Sequence, residues 1–209
     1  MGRQERAERT RSAILDAAAS TFDERGYDGT TLSDILSRAE LTKGALYFHF
    51  GSKRDLAAAL MQEQFAFWDD AHVDDVGLGT IIDLSFALAS RLQSDVRVRA
   101  SIRLVIEQGT FSNPSRSAYE RWIAVTQQAL NGAARHGDLR VEVDQRAAAE
   151  FIVASFTGVQ LSSQVLADRA DLQQRLRVMW HTILPGLVPR RRLDRVLAAV
   201  DEMSGPRER

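Results

Sequence analysis

The stretch Thr42-Lys43-Gly44-Ala45-Leu46-Tyr47-Phe48-His49-Phe50, followed by Gly51-Ser52-Lys53, decides how the chain reads. Thr42 stands where a helix cap is wanted, because its hydroxyl can accept from a first-turn N–H. Lys43 then sits near the helix N-terminus, the end that reaches base edges in a helix-turn-helix, where a lysine can donate to guanine O6 or N7. Gly44, with Ala45 beside it, lets such a helix approach a duplex closely. Gly44 also costs up to ~1 kcal/mol of helix propensity against alanine. Packing of Leu46 and Phe50 on a preceding helix would offset that cost. A lone Lys43 is ordinarily a solvated lysine; the residues around it turn the reading toward DNA.

Outward from this stretch the pattern stays helical. Upstream, Ile14, Ala17, Ala18, Thr21 and Phe22 recur at helical spacing, which predicts a first helix from about Ala7 to Arg25, stopped by Gly26. Thr31 can cap a short second helix from Leu32 to Arg38 with Leu32, Ile35 and Leu36 inward. Thr31 and Ser33 at its start can present hydroxyls and backbone N–H groups to a phosphate. Two short helices joined by a few residues make a helix-turn-helix. Arg3, Arg6, Arg9 and Arg11 read either as a basic arm lying on DNA or as a frayed charged tail. Downstream, Ser52 caps a fourth helix from Lys53 to about Trp68.

Composition limits the rest. Net charge is −1, and residues 1–55 hold nine Lys/Arg against nine Asp/Glu, so DNA contact must rest on placed cations rather than on bulk charge. The chain has no cysteine, which excludes disulfides, thiolate zinc sites and cysteine nucleophiles and suits a reducing cytoplasm. The N-terminus is too charged for a signal peptide, and no apolar run approaches the ~20 residues of a membrane span, so no membrane partner is expected.

Beyond an acidic break at Asp69-Asp70-Ala71-His72-Val73-Asp74-Asp75, longer amphipathic segments follow: Thr80–Leu92, Val96–Gln108, Ser115–Arg135 after Pro114, a long helix to Ala167 capped by Asp144, a segment from Asp171 stopped by Pro185-Gly186, and a last helix opened by Pro189. Strand signals are almost absent. The expected class is all-α: a helix-turn-helix domain over residues 1–53 and a helical-bundle domain for ligand binding and dimerisation over 54–209. Trp122 and Thr126 share a helix face that Phe86 and Phe156 can join in a bundle. Gln160 is an apolar-flanked polar residue able to orient a carbonyl or hydroxyl. Taken singly, a Trp at such spacing is more often core than ligand wall. The acidic cluster with His72 could be read as a metal site, but clustered acids at a helix end are usually a solvated turn, and no cofactor is expected. His-Glu-x-x-His, a phosphate loop and a nucleophile elbow are all missing, so the chain does not read as an enzyme.

Residues 9 to 60 resemble the DNA-binding domain of the TetR family of repressors. The carriers are Ile14 to Phe22, Gly26-Tyr27, Thr30-Thr31, Ile35 and, above all, Lys43 to Phe50 with Lys53 and Leu56. Within that family the chain is similar to the γ-butyrolactone autoregulator receptors, through the wording Thr42 to Phe50, Gln64, Tyr119-Glu120-Arg121-Trp122 and Met179-Trp180…Ile183 to Pro189. The resemblance implies that Tyr47, His49 and Lys53 contact phosphates, that Trp122 walls a ligand pocket and that Gln64 lies beside it. It also implies a homodimer on pseudo-palindromic operator DNA, with the seam built from segments 144–167 and 171–184. A small lactone, butenolide or furan controlling secondary metabolism would release the repressor. A regulator of efflux or catabolism with another hydrophobic ligand, and a pseudo-receptor without ligand response, are the alternatives.

Overall fold

A computed structural model describes residues 2–69, 77–107 and 114–204, with the side chains of Arg3, 64–69, 114–115 and Ser204 outside the description. Among the described residues there are ten α-helices and no strand: α1 (Arg3–Arg25), α2 (Leu32–Ala39), α3 (Lys43–His49), α4 (Lys53–Asp69), α5 (Leu78–Ser94), α6 (Val96–Ile106), α7 (Pro114–Arg135), α8 (Gln145–Ala167), α9 (Leu172–Leu187) and α10 (Arg190–Ser204). The acidic break at 70–75 and the 109–113 connection fall outside the described residues.

Most boundaries follow the expected caps. Asp144 accepts from the N–H groups of Arg146 and Ala147 and starts α8. Ser52 Oγ accepts from the Asp55 N–H at 3.2 Å at the start of α4. Two boundaries differ. α1 begins at Arg3, so Arg6, Arg9 and Arg11 are helical rather than an arm ahead of the helix. α9 runs through Pro185 to Leu187. Proline removes one N–H donor there, near the helix end, and the next turn closes with Val188 N–H donating to Leu184 O at 2.9 Å.

Two compact units result, Met1–His72 with Ser94–Ala118, and Val73–Gln93 with Tyr119–Arg209. In the first, α1 is the central helix and packs on α2, α3, α4 and α6. Its core contains Ile14, Leu15, Ala18, Phe22, Ile35, Leu46, Leu56, Leu60 and Leu104, all buried. Packing therefore groups α4 and α6 with the first three helices, and a division at residue 53 is one of function rather than of compactness. In the second unit α9 packs on both α8 and α10. Trp180 of α9 is fully buried, and its Nε1–H donates to Ser85 Oγ of α5 at 2.9 Å.

Gly26 shows why α1 must stop where it does. Its φ is +71°, and a side-chain carbon at this position would meet Glu107 Oε1 at 2.6 Å. Only glycine combines that backbone with that approach. Glu107 uses the opening, because its Oε2 accepts from Tyr27 N–H at 2.8 Å.

Candidate nucleic-acid interface and effector residues

α3 is seven residues long, too short to stand alone in water. It is held from inside by buried Leu46 and Phe50, and the Arg11 guanidinium lies 5.2 Å from the Phe50 ring centroid. Thr42 caps it as expected, its hydroxyl accepting from Ala45 N–H at 3.3 Å. The remaining face is outward. Lys43, Gly44 and Tyr47 are exposed, while Ala45 and His49 are half-buried. Lys43 Nζ is 5.9 Å from the Tyr47 ring centroid, one helical turn away, so cation and phenol stand together. A side-chain carbon at Gly44 would meet nothing within 4 Å, so no packing inside the chain requires glycine here.

Phe48 is the residue that sequence reasoning passed over. It is 76% exposed, the most exposed large apolar residue of α3, and it stands edge-on to His49 at 5.0 Å. The signal was present in the wording Leu46-Tyr47-Phe48: with Leu46 inward, the helical period turns Phe48 outward.

The second helix meets the expectation only in part. The Thr31 hydroxyl accepts from Asp34 N–H at 3.1 Å and donates to Asp34 Oδ2 at 2.6 Å, so it closes a capping box rather than standing free. Asp34 Oδ2 also accepts from Thr31 N–H at 2.9 Å, and Oδ1 accepts from Arg25 at 2.9 Å. These bonds, the Thr31 hydroxyl foremost and then its N–H, hold the Asp34 carboxyl below the usual carboxylate range. Ser33 is exposed on the first turn.

Lys53 differs most from the picture of an outward clamp. Its ammonium donates to Tyr27 O at 2.8 Å and to Thr30 O at 2.7 Å. It also lies 4.2 Å from the Tyr27 ring centroid. Two of its three N–H donors thus fasten α4 to the turn between α1 and α2, leaving one for a phosphate.

The effector candidates sit on three helices of the second unit: Phe86 on α5, Trp122 and Thr126 on α7, Phe156 and Gln160 on α8. Phe86 and Thr126 are buried, and Trp122 and Phe156 half-buried. Trp122 stacks edge-on with Tyr119 at 4.9 Å. Among the described residues no hydrogen bond or ring contact joins these five to one another. Gln64 is on α4, with its side chain outside the described residues. Gln160 is only 1% exposed, and neither its Nε2 nor its Oε1 has a hydrogen-bond partner in the protein. Such an orphaned amide costs ~1–3 kcal/mol for each unsatisfied group.

Comparison with known proteins agrees with this geometry. The profile for bacterial regulatory proteins of the tetR family matches residues 14–60, and that for the tetracyclin repressor-like C-terminal domain matches residues 76–189. The A-factor receptor protein of Streptomyces griseus is 39% identical over 187 residues, 90% of this chain and 67% of that protein. Among solved structures, CprB from Streptomyces coelicolor in complex with its biological operator sequence superposes with a TM-score of 0.81 at 32% identity, covering 95% of this chain and 98% of that one. A gamma-butyrolactone receptor (ArpA-like protein) superposes with a TM-score of 0.80 at 32% identity, again over 95% of this chain and 98% of that one.

Proposed function

The chain belongs to the TetR family, whose members are transcriptional regulators rather than enzymes, and from that premise we propose a ligand-responsive repressor that binds pseudo-palindromic operator DNA as a homodimer. Residues 1–53 are its DNA-binding part and residues 54–209 its ligand-binding and dimerisation part. The observation that carries the reading is the outward face of α3, where Lys43 and Tyr47 stand exposed around Gly44 while Leu46 and Phe50 anchor the helix from behind. Lys43 reads guanine edges, Gly44 and Ala45 allow close approach, and Tyr47, His49 and the free N–H of Lys53 hold phosphates, with Thr42, Thr31 and Ser33 fixing the helix ends against the backbone.

One short helix reads few base pairs, so a second copy is needed. The apolar residues left exposed on α8 and α9 support this: Phe151, Val165 (80% exposed) and Leu166 on α8, with Val178 on α9. Along α8, Phe151, Ala154, Gly158, Ser162 and Val165 are all exposed at spacings of three and four, as a helix–helix seam requires.

The effector is a small diffusible lactone, butenolide or furan, with secondary metabolism as the controlled output. Similarity to the A-factor receptor and to a gamma-butyrolactone receptor supports this class. Phe86, Trp122, Thr126, Phe156 and Gln160 line its site, with Gln64 as a further candidate. Binding favours an arrangement in which α4 swings and the paired recognition helices no longer match major grooves one turn, about 34 Å, apart. The ligand shifts this equilibrium only by its differential affinity for the two arrangements. Sedimentation and operator gel shifts with the Val165→Glu and Trp122→Ala variants test the reading. The first should give a monomer that loses the operator. The second should keep the operator and lose ligand release. A dimeric Val165→Glu, or normal release in Trp122→Ala, contradicts it.

A further inference from the structure

The second unit satisfies its other buried side-chain hydroxyls locally. Ser85 donates to Ile82 O at 2.7 Å and accepts from Trp180, and Ser163 donates to Asp171 Oδ1 at 2.6 Å. Thr157, one turn before Gln160, donates to Val153 O at 2.9 Å. Gln160 stands apart from all of these, because both its donor and its acceptor lack a protein partner at 1% exposure. That burial also removes a second copy of the chain as the missing partner, since the exposed stripe of α8 is a different face. A glutamine kept at such a position with both ends open marks a ligand contact, and the amide specifies what the ligand must offer.

Resting on the lactone-type reading above, we infer that the effector carries a hydrogen-bond acceptor and a donor on adjacent atoms, a carbonyl beside a hydroxyl, and that Gln160 reads the pair. The Nε2–H donates to the ligand carbonyl, and Oε1 accepts from the ligand hydroxyl. A plain lactone offers acceptors only. It would satisfy Nε2 and leave Oε1 buried without a donor, so the site rejects it. Methylation of the hydroxyl has the same effect and adds bulk. The chain thereby distinguishes a hydroxylated signal from the more apolar lactones of similar size.

Calorimetric titration of the full chain with 2-hydroxy-γ-decalactone, its 2-methoxy ether and unsubstituted γ-decalactone tests this, with Gln160→Met as the near-isosteric variant lacking the amide. The wild type should bind the hydroxy-lactone about tenfold or more tightly than either other compound, and Gln160→Met should bind all three within about twofold of one another. The ligand-free Tm of Gln160→Met should rise by about 2–4 °C, because an orphaned amide is removed. A fall in that Tm would give Gln160 a structural role and overturn the inference. So would equal affinities on the wild type, or a preference that survives in the variant. Binding of none of the three by the wild type would contradict the lactone-type reading and the inference with it, whereas equal binding of all three contradicts the inference alone.

Discussion

Arg97 of α6 donates through Nη1 to Glu63 of α4 at 3.2 Å, while the same guanidinium holds α1. Its Nε donates to Asp16 Oδ1 at 2.7 Å, and its Nη2 donates to Ser12 O at 2.9 Å and Ser12 Oγ at 2.7 Å. Farther along, α6 grips α1 again, with Arg99 donating to Asp23 Oδ2 at 2.8 Å and Glu107 accepting from Tyr27. α6 and α1 are therefore joined at both ends. In this set of ion pairs, the carboxylate that brings in α4 is Glu63.

Removing that carboxylate should loosen α4 and leave the α1–α6 pair intact. The pair is partly exposed, so Glu63→Gln should cost no more than about 1 kcal/mol of stability. Operator affinity should fall by roughly 2- to 10-fold, and ligand should release the DNA at lower concentration. Fluorescence anisotropy with and without ligand reads both. Unchanged affinity together with unchanged release would show that this tie does not transmit.

Lys53 and Lys43 should separate by stability. Lys53→Met loses two charge-assisted bonds to the Tyr27 and Thr30 carbonyls and should destabilise the fold by about 1–3 kcal/mol in urea melts. Lys43→Met should leave stability within about 0.5 kcal/mol, because its ammonium is exposed on α3. Equal stability of the two variants would mean that Lys53 does not secure the turn.

Gly44→Ala should move two properties in opposite directions. Nothing lies within 4 Å of an added methyl carbon, so helix propensity gains up to about 1 kcal/mol in the free protein. DNA affinity should drop by tenfold or more if the helix backbone approaches the duplex closely. A variant that is more stable and binds DNA equally well would move the close contact away from Gly44.

Much of the fold was legible because periodicity and caps are local signals. Thr31, Thr42, Ser52 and Asp144 all cap where their sequence context placed them. What sequence could not show was long-range pairing. That Arg97 meets Ser12, Asp16 and Glu63 depends on α6 returning to α1 across some eighty residues, and no local pattern encodes that return. Lys53 is a similar case, because its spacing from Tyr47 suggests an outward cation, whereas packing turns its ammonium onto two carbonyls. Gln160 was legible as an apolar-flanked polar residue, but its lack of a partner emerges only once the helices are packed.

Acid should weaken the helix-turn-helix through Asp34. The fold holds this carboxyl below its ordinary value, so its contribution is fully present above the unfolded-state pKa of about 3.9 and is lost as pH falls through the lower folded-state value. Asp34→Asn should therefore be less stable than the wild type at pH 7, with the gap narrowing below about pH 4. Thermal melts across that range check it. A gap that stays constant with pH would assign the effect to shape rather than charge.

The central claim is that α3 reads DNA through Lys43. Anisotropy titration of wild type and Lys43→Ala, on the DNA upstream of the protein's own gene and on an unrelated duplex of equal length, tests it most directly. The wild type should prefer the upstream DNA by about 10³-fold or more. Lys43→Ala, with unchanged helical circular dichroism and Tm, should bind both duplexes with the same weak, salt-sensitive affinity. A Lys43→Ala variant that keeps the wild-type preference would contradict the account.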